Sequence, residues 1–402
     1  MTPNATLQQA ILFPSEAETT IKVVKSLRSA QREKLPRLDK HPDLRERLLP
    51  YCRLKPGEVW EDPIRGHRVG VLDATNGEHV NRLVRDTHIA LAVNDPPYNI
   101  KVGNANTPHL SKQNLEAYLD FSRKWVTHVV NVLAEHAHFY VWIGADYRDG
   151  FQPFPDFMIL MRDWHPVLTS RNLITVRNQR GYGTQKNWMW VRQELLHYIK
   201  GNPEFHVVYT DIPKILRGYY KTVDGKRTEN MERSRSDTIR PGNVWVDIQQ
   251  VFYRMEENVS GCYAQKPLKA IQRIIETSSQ EGDVVLDLFA HSGTTLIAGE
   301  MLGRRVLTAD IDPVFVELTI RRLEHYRQSG KIGWQWHNPF PEIEGMLEEV
   351  ANNPDLSHQH RGGVEYQIGI TSKNIADFEP YRVEPTRIGD AILEKKRTMS
   401  ST

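Results

Sequence analysis

A short segment of acidic, proline and aromatic residues, Asp95-Pro96-Pro97-Tyr98, directly follows the apolar run Ile89–Val93. Its two prolines stiffen the backbone and fix the direction of the Pro96 carbonyl. When a carboxylate and a carbonyl both accept hydrogen bonds from one amino group, its nitrogen is drawn toward tetrahedral geometry and its lone pair becomes available. Tyr98 adds an aromatic face on which a planar base can stack. The segment therefore suits the activation of an exocyclic base amine. Its alternative interpretation is a proline-rich turn that ends a strand.

A second apolar run, Val284–Phe289, leads through a turn of small residues into the helical segment Thr294–Leu302. A strand, a tight turn and a helix N-terminus together form a site for a polar or negatively charged ligand head. After that helix, the strand Arg305–Ala309 ends in Asp310, whose carboxylate is placed to accept hydrogen bonds from ribose hydroxyls. A nicotinamide cofactor uses the same layout, but the three-glycine fingerprint for a pyrophosphate is missing. The pattern favours a cofactor without a pyrophosphate.

The elements around these segments alternate between strand and helix. Thr87–Val93 is a nearly unbroken apolar run, typical of a central strand that is covered on both faces. Asn114–Glu135 has one apolar face and is a predicted helix, and Ala137–Ile143 is a predicted strand. Asp312 is suited to cap a helix in which Pro313 is the first residue. We therefore expect a doubly wound α/β sheet.

Composition and cysteine use exclude several classes of protein. No apolar run among the 402 residues reaches the ~18 residues that a membrane-spanning helix needs. The N-terminus lacks the basic-then-apolar layout of a secretory signal. Cys52 and Cys262 cannot form a disulfide framework and fit a reducing cytosol, so we expect a cytoplasmic protein. No HExxH or paired CxxC motif is present, and we expect no metal.

In their order along the chain, the two chemical segments resemble those of the β group of amino-methyltransferases, in which a DPPY segment precedes an FxGxG segment. The resemblance runs from about His67 to Gln328 and includes Gln265-Lys266-Pro267-Leu268, Arg180-Gly181-Tyr182-Gly183 and the run Gly303–Leu323. It implies a Rossmann-like doubly wound methyltransferase sheet with a small target-recognition insertion. It also implies that S-adenosylmethionine is the methyl donor.

The resemblance further implies which residues bind this cofactor. Asp310 is expected at the ribose, and Asp73 is expected near the adenine. The methionine part is expected to lie against Asp287, Phe289, Ser292, Gly293 and Thr294. Lys266 and His291 complete the predicted cofactor-binding set.

His291 departs from the family pattern, because the family normally has glycine at this position. Glycine permits unusual backbone angles and a close approach to the cofactor's carboxylate. Histidine tolerates a positive φ better than most residues, but its side chain must be accommodated. The imidazole either narrows the space beside the carboxylate or donates a hydrogen bond to it.

Basic residues are concentrated between positions 214 and 240, and the family has its target-recognition region between the segments that correspond to Glu194 and Lys266. A second basic cluster, with Trp188 and Trp190 interleaved, precedes them. Lysines and arginines would contact phosphates, and one or two arginines would read guanine edges. The alternatives are a solvated charged loop and, for the tryptophans, core packing. The predicted DNA-binding residues are Arg177, Lys186, Lys214, Arg217, Lys226, Arg227, Arg233 and Arg235.

The predicted function is site-specific methylation of adenine N6 in double-stranded DNA, as in prokaryotic or phage restriction-modification. Family members with serine at the position of Asp95 favour cytosine, so Asp95 favours adenine, and N4-cytosine methylation is the alternative. A more distant alternative, prompted by His291, is a non-catalytic DNA-binding or cofactor-sensing protein. Carbon-5 cytosine methylation needs a nucleophilic cysteine, which follows a proline in that family of enzymes. Neither Cys52 nor Cys262 follows a proline, so this reaction is excluded. A homodimer is a further possibility.

The chain divides into five predicted segments. The catalytic and cofactor-binding halves of the methyltransferase domain are separated by the recognition region, and extensions flank them on both sides. The predicted boundaries are 1–65 for the N-terminal extension, 66–202 for the catalytic half, 203–260 for the target-recognition region, 261–330 for the cofactor-binding half and 331–402 for the C-terminal extension.

Overall fold

A computed structural model describes residues 34–98, 115–144, 153–182, 188–212, 220–223, 226–229, 236–335 and 337–343. Its strands are β1 Val59–Glu61, β2 Arg68–Val71, β3 Ile89–Asn94, β4 Leu133–Ile143, β5 Leu168–Tyr182, β6 Trp190–Lys200, β7 Tyr220–Val223, β8 Lys226–Glu229, β9 Val244–Trp245, β10 Val284–Asp287 and β11 Arg305–Asp310. Its α-helices are α1 Pro42–Leu48, α2 Gly77–Val84, α3 Leu115–Val132, α4 Pro153–Leu160, α5 Leu268–Ser278, α6 Thr294–Met301 and α7 Pro313–Ser329. None of these helices has the length and apolar character needed to cross a bilayer.

Nine of the described strands form one mixed sheet in the order β1-β2-β11-β10-β3-β4-β6-β5-β9, and β7 pairs separately with β8. The central run from β2 to β4 is parallel, whereas β6 is antiparallel to both β4 and β5. β11, which pairs with β10, lies on one side of the β10–β3 pair. β4, which pairs with β3, lies on the other side. The strand order therefore reverses between β10 and β3, where doubly wound sheets bind ligands. The predicted fold class is confirmed.

Helices cover both faces of this sheet because its central strands are apolar on both sides. Trp125 of α3 and Leu83 of α2 are buried in the cluster on one face. Ile274 of α5 and Ile320 of α7 are buried in the cluster on the other. Each such side chain contributes ~1.5–3 kcal/mol through the area that it removes from water. The ends of β3 and β10 are thus held by well-packed layers.

One element boundary differs from the sequence-based prediction. The amphipathic pattern predicts a helix through Glu135, but α3 ends at Val132 and β4 begins at the next residue. Leu133 pairs with Ile89 of β3, and an irregularity in register follows. Pairing with the central strand outweighs helical periodicity here, since an unpaired backbone beside β3 would leave buried polar groups without partners.

A third apolar cluster joins the N-terminal segment to α7. It contains Leu38 and Leu44 from the N-terminal side and Val314 and Leu318 from α7. Beside it, the Arg45 guanidinium lies 2.5 Å from a carboxylate oxygen of Asp312, the N-cap of α7. The described part of the predicted N-terminal extension therefore packs on the helix that follows β11.

Candidate active site

The candidate site lies where β3 and β10 end side by side. β10 is parallel to β3 and to β11, so the carboxyl ends of these strands share one edge of the sheet. Asn94, the last residue of β3, is fully buried, and its Oδ1 accepts a 2.9 Å hydrogen bond from the Leu288 amide. This contact joins the exits of both strands. Asp95 and Asp287 consequently lie on the same pocket wall.

Asp95 is the centre of a small polar group. The Tyr98 hydroxyl donates to its Oδ1 at 2.6 Å, and the Lys266 ammonium donates to its Oδ2 at 2.5 Å. The Lys266 side chain is only 8% exposed, and that of Asp95 is 25% exposed. Burial, and then the charge of Asp95, raises the pKa of Tyr98 well above its ordinary value, so the hydroxyl remains a donor. A carboxylate has about four lone-pair sites, and about two therefore remain on Asp95 after these contacts.

Aromatic rings surround the Lys266 ammonium. Its Nζ lies 5.2 Å from the Tyr98 ring centroid and 5.4 Å from that of Trp142, at distances where ring faces attract a cation. A Cβ at Gly144 would come within 2.6 Å of the Tyr98 ring, so the position next to the ring requires glycine. Sequence reasoning assigned no role to Trp142 or Gly144, because an apolar strand and a following glycine carry no local signal of chemistry.

A pocket of about 320 Å³, including its open mouth, begins at Asp95. Asp287 lies on its wall, where its two oxygens accept from the Phe289 amide at 2.9 Å and the Thr295 hydroxyl at 2.6 Å. Burial raises the pKa of Asp287 to about 7 despite these donors. The predicted residues that this pocket brings together are Asp95, Lys266, Asp287, Phe289, His291, Ser292 and Thr294.

The turn between β10 and α6 contains two positive φ angles. Gly293 has φ 73°, and a Cβ there would lie 3.0 Å from the Thr319 side chain. His291 has φ 45°, so a histidine occupies the left-handed conformation that glycine adopts readily. Its amide donates to Asp310 Oδ2 at 2.9 Å, and its ring centroid lies 4.7 Å from that of Phe315. Burial lowers the pKa of His291 to about 4, which leaves the imidazole neutral at pH 7.

The buried guanidinium of Arg322 is hydrogen-bonded to this turn. Its guanidinium donates to the Ser292 carbonyl at 2.8 Å, to the Thr294 hydroxyl at 3.1 Å and to the Glu257 carbonyl at 3.2 Å. Burial lowers its pKa to about 10, so it still carries its charge at pH 7. Sequence reasoning noted the run that contains Arg322 only as part of the family resemblance and assigned it no role.

Asp310 and Asp73 lie at neighbouring strand ends. β11 is parallel to β2, and the Leu72 amide donates to the Asp310 carbonyl at 2.9 Å. The Asp310 carboxylate accepts hydrogen bonds from the Asp312 amide and from the His291 amide in the turn. Burial raises the pKa of Asp310 to about 7. Asp73 accepts from both the amide and the hydroxyl of Thr75 at 2.8 Å. Both aspartates therefore lie on the edge of the sheet that carries Asp95.

Of the predicted DNA-binding residues, Arg177 has a described side chain, which is exposed on β5. Lys226 and Arg227 belong to β8. The remaining predicted residues lie outside the described ranges and are Lys186, Lys214, Arg217, Arg233 and Arg235.

Comparison with known proteins identifies one matching family model, described as DNA methylase, over residues 89–321. This range covers more than half of the 402 residues. It begins at β3 and ends within α7, and it therefore includes Asp95, Lys266, Asp287 and Asp310.

Curated relatives show the same similarity, and two solved structures superpose on part of the chain. The chain is 28% identical over 241 residues to the type II methyltransferase M.HpaI of Haemophilus parainfluenzae, covering 60% of this chain and 70% of that protein. It is 27% identical over 239 residues to the DNA adenine methyltransferase YhdJ of Escherichia coli, covering 58% and 76%. The PvuII DNA methyltransferase, described as cytosine-N4-specific, superposes with 16% identity and a TM-score of 0.45, covering 75% and 95%. M1.HpyAVI in complex with S-adenosylmethionine gives 14% identity and a TM-score of 0.41, covering 62% and 96%.

Proposed function

The chain belongs to the DNA methylase family whose model matches residues 89–321, and on that premise we propose that it methylates N6 of adenine in double-stranded DNA. The resemblance to the amino-methyltransferases is thereby confirmed. DNA is the substrate and S-adenosylmethionine is the methyl donor. The choice of base and the roles of individual residues belong to the proposal, which rests on Asp95 and the two side chains that hold it.

The contacts of Asp95 support its role as an acceptor for the base amine. Tyr98 and Lys266 each engage one of its oxygens, so the carboxylate has a fixed direction before a base binds. About two lone-pair sites remain, and one of them accepts an N–H of the amine. The Pro96 carbonyl accepts the other N–H. The amine nitrogen thereby exposes its lone pair, and it loses a proton to water after the transfer.

The Tyr98 ring offers a stacking surface to a base that has been extruded from the DNA duplex. A base inside a duplex has its amine engaged in pairing, so an enzyme that acts there must extrude the nucleotide. The Tyr98 ring is held by its hydroxyl contact to Asp95 and by the close approach of Gly144. Its preset orientation lowers the ordering cost of stacking. Catalysis in such a site depends mainly on position and electrostatics.

The residues of the pocket, of the turn before α6 and of the neighbouring strand ends fit S-adenosylmethionine, which when bound supplies an electrophilic methyl group. Asp310 retains about two lone-pair sites for ribose hydroxyls after its two backbone contacts. Gly293 leaves no room for a Cβ in the turn before α6, and the N-terminus of that helix suits a carboxylate. Asp287 lines the pocket and is proposed to accept from the amino group. We propose that Asp73 lies near the adenine and that the other predicted cofactor residues contact the methionine part.

Nucleoside mass spectrometry of DNA from an expressing host that lacks its own adenine-N6 and cytosine-N4 methylases tests the proposal. We expect N6-methyladenine from the wild type. Asp95→Ala should lower it ~100- to 1,000-fold, which is typical for loss of one preorganised electrostatic contact. The matched control, Asp86→Ala, changes an exposed carboxylate just before β3 and should leave the yield unchanged.

The outcomes separate the candidate functions. N4-methylcytosine in place of N6-methyladenine would contradict the choice of base and retain the family reaction. Activity of Asp95→Ala within tenfold of wild type would remove Asp95 from the mechanism. A folded wild-type protein that binds S-adenosylmethionine but leaves both bases unmethylated would support the non-catalytic alternative.

A further inference from the structure

β5 and β6 extend past the strand that supports them. Ile143, the last residue of β4, pairs with Glu194 of β6, but β6 begins four residues earlier, at Trp190. β5 continues past Thr175, the partner of Glu194, as far as Tyr182. Residues 177–182 and 190–193, here named the projecting ribbon, lie beyond the described contacts with β4 and β9. Within the ribbon Arg177 pairs with Arg192 and Tyr182 pairs with Trp190, and the register is irregular between these two pairs.

The projecting ribbon stands on the active-site edge of the sheet. β4 is parallel to β3, so its carboxyl end lies at the edge that carries Asp95. β6 is the second strand from β3, at a lateral distance of ~10 Å, and its four additional residues extend ~13 Å beyond the end of β4. A duplex that delivers a base to Asp95 must therefore pass close to the ribbon.

Two apolar side chains lie directly before β6, and two cationic side chains lie at the base of the ribbon. Trp188 is 89% exposed and Met189 is 61% exposed, directly before β6. Arg177 and Arg192 pair across the two strands and are both exposed, with Arg192 Nε 3.1 Å from the Glu194 carboxylate. The alternative interpretation of Trp188, packing in the core, is therefore wrong, because its side chain is exposed.

We propose that Trp188, supported by Met189, enters the DNA base stack and occupies the space that the extruded base leaves, while Arg177 and Arg192 contact the flanking phosphates. This inference rests on the proposed function, because a base must be extruded for the space to exist. Apolar side chains that enter between base steps are an established way to hold DNA in an opened form. The flanking arginines favour a polyanion, whereas a second copy of this chain docked symmetrically here would bring like charges together.

Base extrusion measured by fluorescence tests the inference. The probe is a duplex with the sequence found methylated in the expressing host, in which 2-aminopurine replaces the target adenine (or pyrrolocytosine replaces a target cytosine). At saturating protein, Trp188→Ala should lower the extrusion equilibrium ~5- to 150-fold, since stacking on an aromatic side chain contributes ~1–3 kcal/mol per base. Trp188→Phe should retain most of the signal. The control, Ile64→Ala, alters another exposed apolar residue and should match the wild type.

A mismatch at the target position separates stacking from other contacts. Mispairing lowers the cost of extrusion, so Trp188→Ala should regain most of the emission on the mispaired duplex. If the emission of Trp188→Ala on the paired duplex equals that of the wild type, the inference is overturned. It is also overturned if Trp188→Ala loses emission on the paired duplex and the mispaired duplex does not restore it. A lower molecular mass of Trp188→Ala by light scattering also overturns it, because Trp188 would then contact a second copy. Failure of the proposed function appears separately, as wild-type protein that methylates no host DNA.

Discussion

At the scale of single residues, we expect ribose binding to depend on pH, because the carboxylate proposed to bind the ribose is buried. Burial raises the pKa of Asp310 to about 7, and in the proposed complex its ionised form has lone pairs on both oxygens for the two ribose hydroxyls. The ionised fraction rises from about one tenth at pH 6 to about nine tenths at pH 8. We therefore expect ribose affinity to rise about tenfold over this interval. Calorimetric titration with 5′-methylthioadenosine, a neutral nucleoside that retains the ribose, measures the effect.

Two controls test whether the contact between Asp310 and the ribose causes this pH dependence. The 2′-deoxy form of the ligand and the variant Asp310→Asn should each flatten the profile, because both remove the contact between carboxylate and ribose. A profile that stays steep in Asp310→Asn would show that another group titrates. Asp287, whose pKa is also raised to about 7 by burial, would then be tested next.

His291 is the position at which the turn departs from the glycine that the family resemblance implies. His291 lies on the pocket wall, and its imidazole is neutral, so it carries one N–H donor. We expect His291→Gly to weaken S-adenosylmethionine binding, since a hydrogen bond to a charged group contributes ~1.5–3 kcal/mol, or about ten- to a hundredfold in affinity. His291→Asn, which tolerates a positive φ and retains an N–H donor, should bind more tightly than His291→Gly. Tighter binding by His291→Gly in calorimetry would show instead that the imidazole only narrows the pocket.

At the scale of elements, the turn before α6 depends on the conformation and the space of Gly293. Its φ of 73° alone makes alanine costly by ~1–2 kcal/mol. A Cβ would also meet the Thr319 side chain at 3.0 Å and its Cα at 3.1 Å. We expect Gly293→Ala to lower the free energy of unfolding by ~2–4 kcal/mol, because overpacking adds to the backbone strain.

Gly282 supplies the matched control for this turn. Its φ is 87°, but nothing lies within 4 Å of a Cβ built there. Urea unfolding of Gly282→Ala should show only the conformational part, ~1 kcal/mol. Equal losses in the two variants would mean that α7 moves to accommodate the methyl group and that the turn is not tightly packed.

At the scale of the whole molecule, the N-terminal segment is fixed to α7 by ion pairs as well as by the third apolar cluster. Arg53 donates from its backbone amide and its guanidinium to Glu317, which is 2% exposed, and also pairs with Glu324 at 2.7 Å. Breaking a buried pair typically costs ~3–5 kcal/mol. Glu317 retains Arg321 at 2.7 Å, and Arg53 is about one third exposed. We therefore expect Arg53→Met to cost ~1–2 kcal/mol, a fraction of that range.

Arg85 provides the comparison for this prediction. It pairs with Glu61 at 3.0 Å, and both side chains are about half exposed. Arg85→Met should change the free energy of unfolding by less than ~1 kcal/mol, as is usual for exposed pairs. Equal urea midpoints for wild type and Arg53→Met would show that the ion pairs of Arg53 do not contribute to the stability of the fold.

The sequence by itself determined the family and the fold class, and it predicted the segments that form the candidate site. The apolar run before Asp95 and the one that ends at Asp287 are both buried strands, because residues that alternate between two covered faces must all be apolar. Small residues after the second run predicted the tight turn before α6. These signals are local, since propensity, turn geometry and burial act within a few residues of the chain.

Only the tertiary structure decided which distant residues meet. Lys266 reaches Asp95 from 171 positions away, and Arg322 donates to the carbonyl of Ser292, 30 positions before it. The extent of β5 and β6 depends on where β4 ends, and this exposes Trp188 where sequence pattern alone allowed a core residue. Such contacts follow from strand order and helix packing, because the same side chain is core, ligand-binding or exposed according to what lies against it.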